Sequence, residues 1–539
     1  MADEKLQQEA NDRLIECRRM KIQFELDIRE GYFFAAPHRA RNVLSTVPTS
    51  EVKPKDFAQL NQSFAFELTE DFTTVIMNTF LPESEHWAKR EAGMHVPLAQ
   101  VEIVNKAARA GDDQIFKAIA SSNFYPACGL GFTPDLALGT VGMWIDRNQA
   151  GRPINCQPIP IRELEINLGP FGGIDDRFVS RWTRNCHIKA LTKGITLPEK
   201  MQREIDNSPR AKTNISWGFW RDWEQEDNET WQYVVLIGNE LVDSKKIKGI
   251  GCCPLIVARF SPSPEWSWGV GPLIKSLPDL RTEDALAEAK IKNLELGLRP
   301  PIAWPDDSWT NIESGIECDM AYPVRPGSEG AIKAIYTPNP PDAAIYDRND
   351  LEQRLRRLFF LDWPKQTGDT PPTATQWLDE MTMAQRRIGT PGLVFWSEFC
   401  GGVFSRYQYI LEKEGVIQPI KIDGKAASLQ PFNPAQRAAE QQEVAEFTRF
   451  VQIAGAASPE EFKMWTDGLK TMLNLRKKIP GGGIWVQRTQ EQVQAAVDQI
   501  QKLQQGTAPT APAQAGAPPV EQPAGPAPVP AALQIRGRM

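Results

Sequence analysis

Apolar residues recur at every third or fourth position over long stretches of the chain and in short continuous runs elsewhere, so helix and strand signals alternate along it. Residues 4–30 are charged and amphipathic, and predict a helix ending near Gly31. From Phe57 to Arg109 the period stays helical, with Leu68, Phe72, Ile76 and Phe80 four residues apart and expected on one buried face. The texture changes near Asn123. Residues 139–161, GTVGMWIDRNQAGRPINCQPIPI, set short apolar runs around an N-Q-A-G-R-P turn and predict a β-hairpin or a pair of strands. WQYVVLIGNELVD and CCPLIVARF predict further strands, which makes residues 1 to about 270 an α+β unit.

Beyond that unit, Thr282 to Leu298 predicts a helix with Ala287, Ile291, Leu294 and Leu298 on one face and Glu283 and Asp284 at its N-terminal dipole. It should span roughly 25 Å at 1.5 Å per residue. Residues 299–341, opening RPPIAWPDD and closing YTPNPP, are Pro-rich with short extended runs, and predict a small β-containing module inserted between two helices. The second helix runs from about Asp342 to Phe360, with Leu351, Leu355 and Leu358 on one face. TGDTPPTATQW, residues 367–377, then interrupts the helical pattern. Thr373 followed by Gln376 is a capping box, so a third helix is expected to about Glu414, with a kink at Gly389-Thr390-Pro391-Gly392. Caps at Ser458-Pro459-Glu460-Glu461 and at Thr489 with Gln492, together with the helical pattern of Ala435–Ala454, suggest a small three-helix unit. From Gly506 the chain turns to Ala and Pro without an aromatic residue, and is expected to be disordered. The fold class read from these patterns is α+β, mainly helical.

Composition narrows the function. With 539 residues, 41% apolar and 24% charged, several ordinary globular domains are expected. A formal charge of −7 argues against a protein that grips nucleic acid through a general basic field, though not against local contacts. The start, MADEKLQQEANDRLIEC, has no basic region followed by an apolar one, and no apolar run of about 18 residues occurs, so neither a secretory signal nor a membrane span is expected. Eight cysteines without a C-x-x-C spacing fit reduced thiols. Cys156, Cys186 and His187 could gather around a metal, but lack the local ligand spacing that makes such a signal specific, and buried small residues are the better reading.

Enzyme signatures fail in turn. WGVGPLIKS has Ile274 where a phosphate loop needs a glycine before the lysine, and Pro272 removes an N–H from the cradle, so a turn into a helix is expected instead. There is no G-x-S-x-G and no H-E-x-x-H, and the four histidines are not spaced as helical ligands. The acidic pairs Asp306-Asp307 and Asp175-Asp176 read as solvated loop residues. Trp217, Trp220, Trp223 and Trp231 read as the aromatics of a hairpin packed into a core, because acidic residues crowd the same segment. No catalytic residue, metal or cofactor is expected. Two features remain: the helix, insert, helix, loop, helix order between residues 272 and 414, and a basic cluster of Arg348, Arg354, Arg356 and Arg357 with Lys365. On a helix these cations have i,i+4 partners, Asp350 for Arg354 and Glu352 for Arg356.

The order of segments resembles the head-to-tail connector, or portal protein, of short-tailed double-stranded DNA bacteriophages. SNFYPACGLGFTPDLALGTVGMWIDRN is similar to that family's SNF-containing helix followed by D-L-x-x-x-G-T-G and a strand, with one residue fewer before the glycine and Val141 interrupting the G-T-G. ARFSPSPEWSWGVGPLIKSLPDLRTEDAL resembles its R-x to Y-G-x-G-P-x-x-x-A-L-P-D-I segment, with Trp268 for the tyrosine. TGDTPPTATQW is similar to its T-G-x-x-x-T-A-T-E-V signature, with Gln376 for the glutamate.

The resemblance covers roughly residues 4–505 and implies a portal fold that assembles into a ring. Residues 1–271 would be the wing, 272–298 and 342–360 two stem helices, 299–341 the clip, and 361–374 the tunnel loop. Residues 375–432 would be a long kinked wing helix and its return, 433–505 a helical crown, and 506–539 the tail. It further implies a non-enzymatic virion protein, made in the host cytoplasm and forming a ring of twelve copies at one capsid vertex, through which double-stranded DNA is packaged and ejected. The implied partners are other copies of the chain, the DNA, the major capsid protein, the terminase, the tail adaptor, and scaffolding or internal core proteins, with no membrane. The candidate DNA-facing residues are Lys365, Gln366, Thr367, Asp369 and Thr370 in the loop and Arg348, Arg354, Arg356 and Arg357 on the stem. The candidate docking residues of the clip are Trp304, Asp306, Trp309, Tyr322 and Arg325. The competing readings are another virion structural protein and a packaging ATPase or nuclease.

Overall fold

In the computed structural model the described residues are 2–39, 60–83, 85–97, 99–147, 153–192, 195, 197–224, 229–298, 302–303, 333–334, 342–361, 388–389, 391–420, 427–431, 447 and 451. The chain divides into two units, Met1–Glu443 and Val444–Met539, and of the second only the helical positions 447 and 451 are described. Apart from these two positions, the expected crown and the Ala/Pro tail lie outside the described residues.

Helix α1, Ala2–Ala35, runs past the predicted stop at Gly31. A Cβ on Gly31 would stand 2.4 Å from Leu138 Cδ2, so this glycine permits close packing rather than ending the helix. Tyr32, Phe34 and Ala35 follow it into the core. Helix α2, Phe64–Phe80, buries Leu68, Phe72, Ile76 and Phe80 on one face, as their spacing requires. The rest of the predicted helical run to Arg109 is different. Strand β1, Ala88–Ala92, intervenes before α3, Val101–Ser121. Its partner is β12, Ala427–Pro431, antiparallel to it and more than 300 residues later, a pairing that no local periodicity announces.

Helices α4, Phe124–Phe132, and α5, Asp135–Leu138, lead into β2, Thr140–Arg147, and β3, Ile154–Ile159. These two strands pair antiparallel, as the turn cluster between them predicts, and β9, Leu255–Arg259, joins β2 on its other side. A second, five-stranded antiparallel sheet takes β4 Leu164–Leu168, β5 Ile174–Arg184, β6 Lys212–Arg221, β7 Thr230–Ile237 and β8 Glu240–Lys248 in sequence order. Helices α6, Asn185–Leu191, and α7, Glu199–Asn207, fill the β5–β6 connection. Trp220 and Trp231 are buried in the β6–β7 hairpin and Trp217 is half-buried, while Trp223 at the strand end is exposed.

After α8, Pro272–Lys275, helix α9 covers Leu277–Leu298, starting five residues before the predicted Thr282. Leu277 and Leu280 are buried there, and the Leu280 N–H bonds Ser276 O at 2.9 Å, so the core rather than the acidic pair sets the start. The short strands β10, Ile302–Ala303, and β11, Lys333–Ala334, pair antiparallel inside the predicted β-containing insert. Helix α10, Asp342–Leu358, then buries Leu351 and Leu355. Just beyond its end Phe360 takes a φ of 58°, while Leu361 N–H reaches back to Arg356 O at 2.8 Å in the six-to-one pattern of a left-handed C-cap. The third predicted helix is described from residue 391 as a helix with a π turn at Trp396–Cys400 that continues into α11, Gly401–Lys413. Gly389 takes a φ of 38° at the predicted kink. Among the described residues no helix is long and apolar enough to cross a membrane.

Candidate functional site

Two of the quoted motifs meet where α9 leaves the body of the chain. Gly271 N–H donates to Leu138 O at 2.9 Å, Phe260 N–H to Gly139 O at 2.8 Å, and Gly269 N–H to Thr140 Oγ1 at 3.0 Å. The backbones are so close that a Cβ on Gly269 would lie 2.0 Å from Gly139 O, and one on Gly271 2.1 Å from Ala137 O. Only glycine fits there, and Gly139 also holds a φ of 114°. The WGVGP stretch is thus a turn into α8 seated on the α5–β2 loop, with Pro272 at the helix start where its missing N–H costs nothing.

Buried charges lock the same junction. Asp135 accepts from the Tyr32 hydroxyl at 2.7 Å and from Arg39 Nη2 at 2.9 Å. Burial, then the Asp135 charge, holds the Tyr32 phenol well above its ordinary pKa. Lys21, fully enclosed, donates Nζ to Ile161 O at 2.7 Å, Arg162 O at 2.8 Å and Leu164 O at 2.9 Å, stands 3.4 Å from Glu165 Oε1, and lies 5.7 Å from the Trp268 ring centroid. Burial lowers its pKa. Sequence reasoning missed Lys21 and Arg39, because their acidic partners, Glu165 and Asp135, are more than 90 residues away and a lone cation carries no signal.

The paired helices α9 and α10 carry the basic candidates. Arg348 Nη2 stands 3.1 Å from Glu283 Oε1 across the pair, and its Nε 3.1 Å from Glu352 Oε1 along its own helix. Glu352 therefore pairs with Arg348 instead of the predicted Arg356. Arg354 has its predicted partner, Asp350, at 3.4 Å. The Arg356 guanidinium lies 5.2 Å from the Phe64 ring centroid, and Arg357, though exposed, is engaged with a partner. Arg348, Arg356, Glu352, Lys290, Phe64 and Glu67 are among the residues around a cleft of about 740 Å³ between the two helices and the start of α2. The predicted apolar face of α9 divides: Ala287 is buried, whereas Ile291 and Leu294 are exposed.

The acidic pair of β5 and the exposed Cys186 depart from expectation. Asp175 and Asp176 are buried residues of β5 rather than solvated loop residues: Trp223 Nε1 donates to Asp175 Oδ2 at 2.7 Å and Arg13 Nη1 to Asp176 Oδ1 at 2.8 Å, and burial raises both carboxyl pKa values. Cys156 is buried in β3 with its Sγ 3.1 Å from the Tyr407 hydroxyl, and burial raises its pKa, while Cys186 is exposed on α6. The loop candidates Lys365, Gln366, Thr367, Asp369 and Thr370 and the insert candidates Trp304, Asp306, Trp309, Tyr322 and Arg325 lie outside the described residues, as does Asp307.

A family model described as bacteriophage head to tail connecting protein matches residues 7–478. Comparison with curated proteins found no match. Among solved structures the chain is similar to a component of the neck of an empty gene transfer agent particle, with 10% identity, a TM-score of 0.33, and coverage of 72% of this chain and 86% of that one. It is also similar to a component of the virion of a native gene transfer agent particle, with 11% identity, a TM-score of 0.34, and coverage of 77% and 90%.

Proposed function

Because the chain belongs to the family of bacteriophage head to tail connecting proteins, a structural component of the phage particle, we propose that it is the portal of its particle. Copies of it close into a ring of about twelve at one capsid vertex, and double-stranded DNA passes through the ring during packaging and ejection. The carrying observation is the family match over residues 7–478, which spans the glycine junction and the α9–α10 pair together.

On this reading the glycine junction sets the direction in which the stem helices, 272–298 and 342–360, leave a wing made of residues 1–271. Residues 299–341 form the clip that meets the terminase and later the tail adaptor. Residues 361–374 form the tunnel loop, 375–432 the wing helix and its return toward the capsid protein, and 433–505 the crown that faces scaffolding or internal core proteins. The charge balance suits a conduit. With −7 on each chain, a ring of twelve would carry about −84, so DNA with one charge per roughly 1.7 Å of axis meets a body that does not hold it. On α10, Arg348 and Arg354 stand beside acidic neighbours and Arg356 over the Phe64 ring; Arg357 and the loop residues Lys365 and Asp369 are the candidates for direct contact.

Negative-stain images of the purified protein test the reading. Closed rings of about twelvefold symmetry are expected, and a protein that stays without rings at every concentration would sink it.

A further inference from the structure

Helix α1 buries one face, with Ala10, Leu14, Cys17, Lys21, Phe24 and Ile28 three or four residues apart. Five of these positions are apolar, and the sixth is Lys21. The lysine falls between two separate cores. Ahead of it, Leu14 and Cys17 pack against Phe178, Trp220, Val234 and Leu236 of the five-stranded sheet. Beyond it, Phe24, Ile28 and Tyr32 belong to the main core. The sheet has its own hold on that main core through Ile166, Val179, Phe219 and Trp231, so it is anchored without the start of α1.

The two parts of the helix are fastened unequally. Lys21 Nζ, enclosed by protein, is fixed by the carbonyl oxygens of Ile161, Arg162 and Leu164. Ahead of it the polar ties reach solvent. Arg13, 35% exposed, donates Nη1 to Asp176 Oδ1 at 2.8 Å and holds its guanidinium 5.3 Å from the Trp220 ring centroid. Asn11 Nδ2 donates to Asn239 O at 3.1 Å, and Gln7 Oε1 accepts from the Leu241 N–H at 3.4 Å. Arg18, three residues before Lys21, has Nε and Nη2 enclosed by protein with no acceptor among the described residues. A guanidinium left unpaired in this way raises the free energy of the closed arrangement, and water relieves it on opening. A segment with a small core and solvent-exposed ties opens ahead of global unfolding.

We infer that residues 2–18 of α1 form a strap that comes off the five-stranded sheet as one unit, turning at Lys21, while the rest of the fold stays closed. The strap gates the apolar sheet face of Phe178, Trp220, Val234 and Leu236, which is reached only when it opens. The inference goes beyond the portal reading and stands without it.

Thiol labelling and amide exchange of the full-length protein in native buffer test it. N-ethylmaleimide is added and each cysteine peptide is followed by mass spectrometry, with the buried thiols Cys128 and Cys400 of the main core as references. Cys17 should label at least about tenfold faster than either, and the amides of residues 6–17 should exchange at one common rate. Arg13→Ala should speed Cys17 by roughly fivefold and leave Cys128 and Cys400 unchanged, whereas Arg18→Met should slow it by a similar factor. Cys17 keeping pace with Cys128 and Cys400 would overturn the strap, since one cooperative unit then holds all three. Exchange that falls off smoothly from Ala2 to Cys17 would overturn it as well, because that is the fraying of any helix end. An Arg18→Met rate equal to or above wild type would overturn the turning point beside Lys21.

Discussion

Arg348 on α10 holds its guanidinium 3.1 Å from the carboxylate of Glu283 on α9, and that carboxylate is fully enclosed. The contact is at ion-pair distance but outside hydrogen-bond geometry, since neither Glu283 oxygen has a hydrogen-bond donor among the described residues. Burial pushes the Glu283 carboxyl above its ordinary pKa, and Arg348 opposes the shift. Arg348→Met should therefore cost about 1–3 kcal/mol of stability. The range sits below that of a fully buried pair because Arg348 is 35% exposed. Because the folded state holds the Glu283 proton more tightly than the unfolded state, this group's contribution is fully present below the unfolded carboxyl pKa and is lost as pH rises through the raised folded value. Thermal unfolding across an acid pH series should show a steeper loss in Arg348→Met than in wild type, and Glu283→Gln combined with Arg348→Met should remove the difference.

The glycine junction predicts a sharp contrast within one chain. Gly269→Ala and Gly271→Ala place a methyl group 2.0 Å and 2.1 Å from backbone oxygens that cannot move aside, so a loss of about 1–3 kcal/mol or more is expected. Gly129→Ala on α4 meets nothing within 4 Å and should be neutral or stabilising by about 0.5–1 kcal/mol. Denaturant midpoints of the three variants check this directly, and equal midpoints would refute the steric account.

Lys21 donates to three backbone carbonyls and faces a fully buried Glu165. Lys21→Met removes the cation beside that buried carboxylate and the donor to the carbonyls, and a destabilisation of about 3–5 kcal/mol is expected. Lys21→Met with Glu165→Gln should recover part of it. A double variant no more stable than the single one, in chemical denaturation, would mean that the carbonyls rather than the ion pair carry the cost.

The channel assignment predicts function without stability change. Arg354 is 55% exposed and its partner Asp350 71%, so Arg354→Ala should shift stability by less than about 1 kcal/mol. On the portal reading, Arg357→Ala and Lys365→Ala should lower the DNA packaged into or retained by assembled particles. Particles with unchanged DNA content in both variants would remove these residues from the channel wall.

Several elements were legible because their signal is local. The turn cluster at residues 148–153 announces the β2–β3 hairpin, Leu68 to Phe80 announce the buried face of α2, and Leu351 with Leu355 announce that of α10. The motif order is also local information, and the head-to-tail connector family could be read from it. Where the periodicity misled, the deciding partner was remote: Leu138 and Leu273 carry α1 past Gly31, and β12 draws residues 88–92 out of a helical pattern into a strand.

The sequence by itself determined most of the long helices, the β2–β3 hairpin, the family, and the order of two long helices around a Pro-rich insert. Tertiary structure alone decided what each charged or small residue does. Asp175 and Asp176 look like loop acids until Arg13 and Trp223 arrive, the glycines of WGVGP read only as a turn until Gly139 shows the backbone they pack against, and the apolar face of α9 splits into buried Ala287 and exposed Ile291 and Leu294. The reason is physical. Propensity and periodicity act over a few residues, whereas burial, the pKa of a carboxyl and the room for a Cβ are set by atoms brought near from distant parts of the chain.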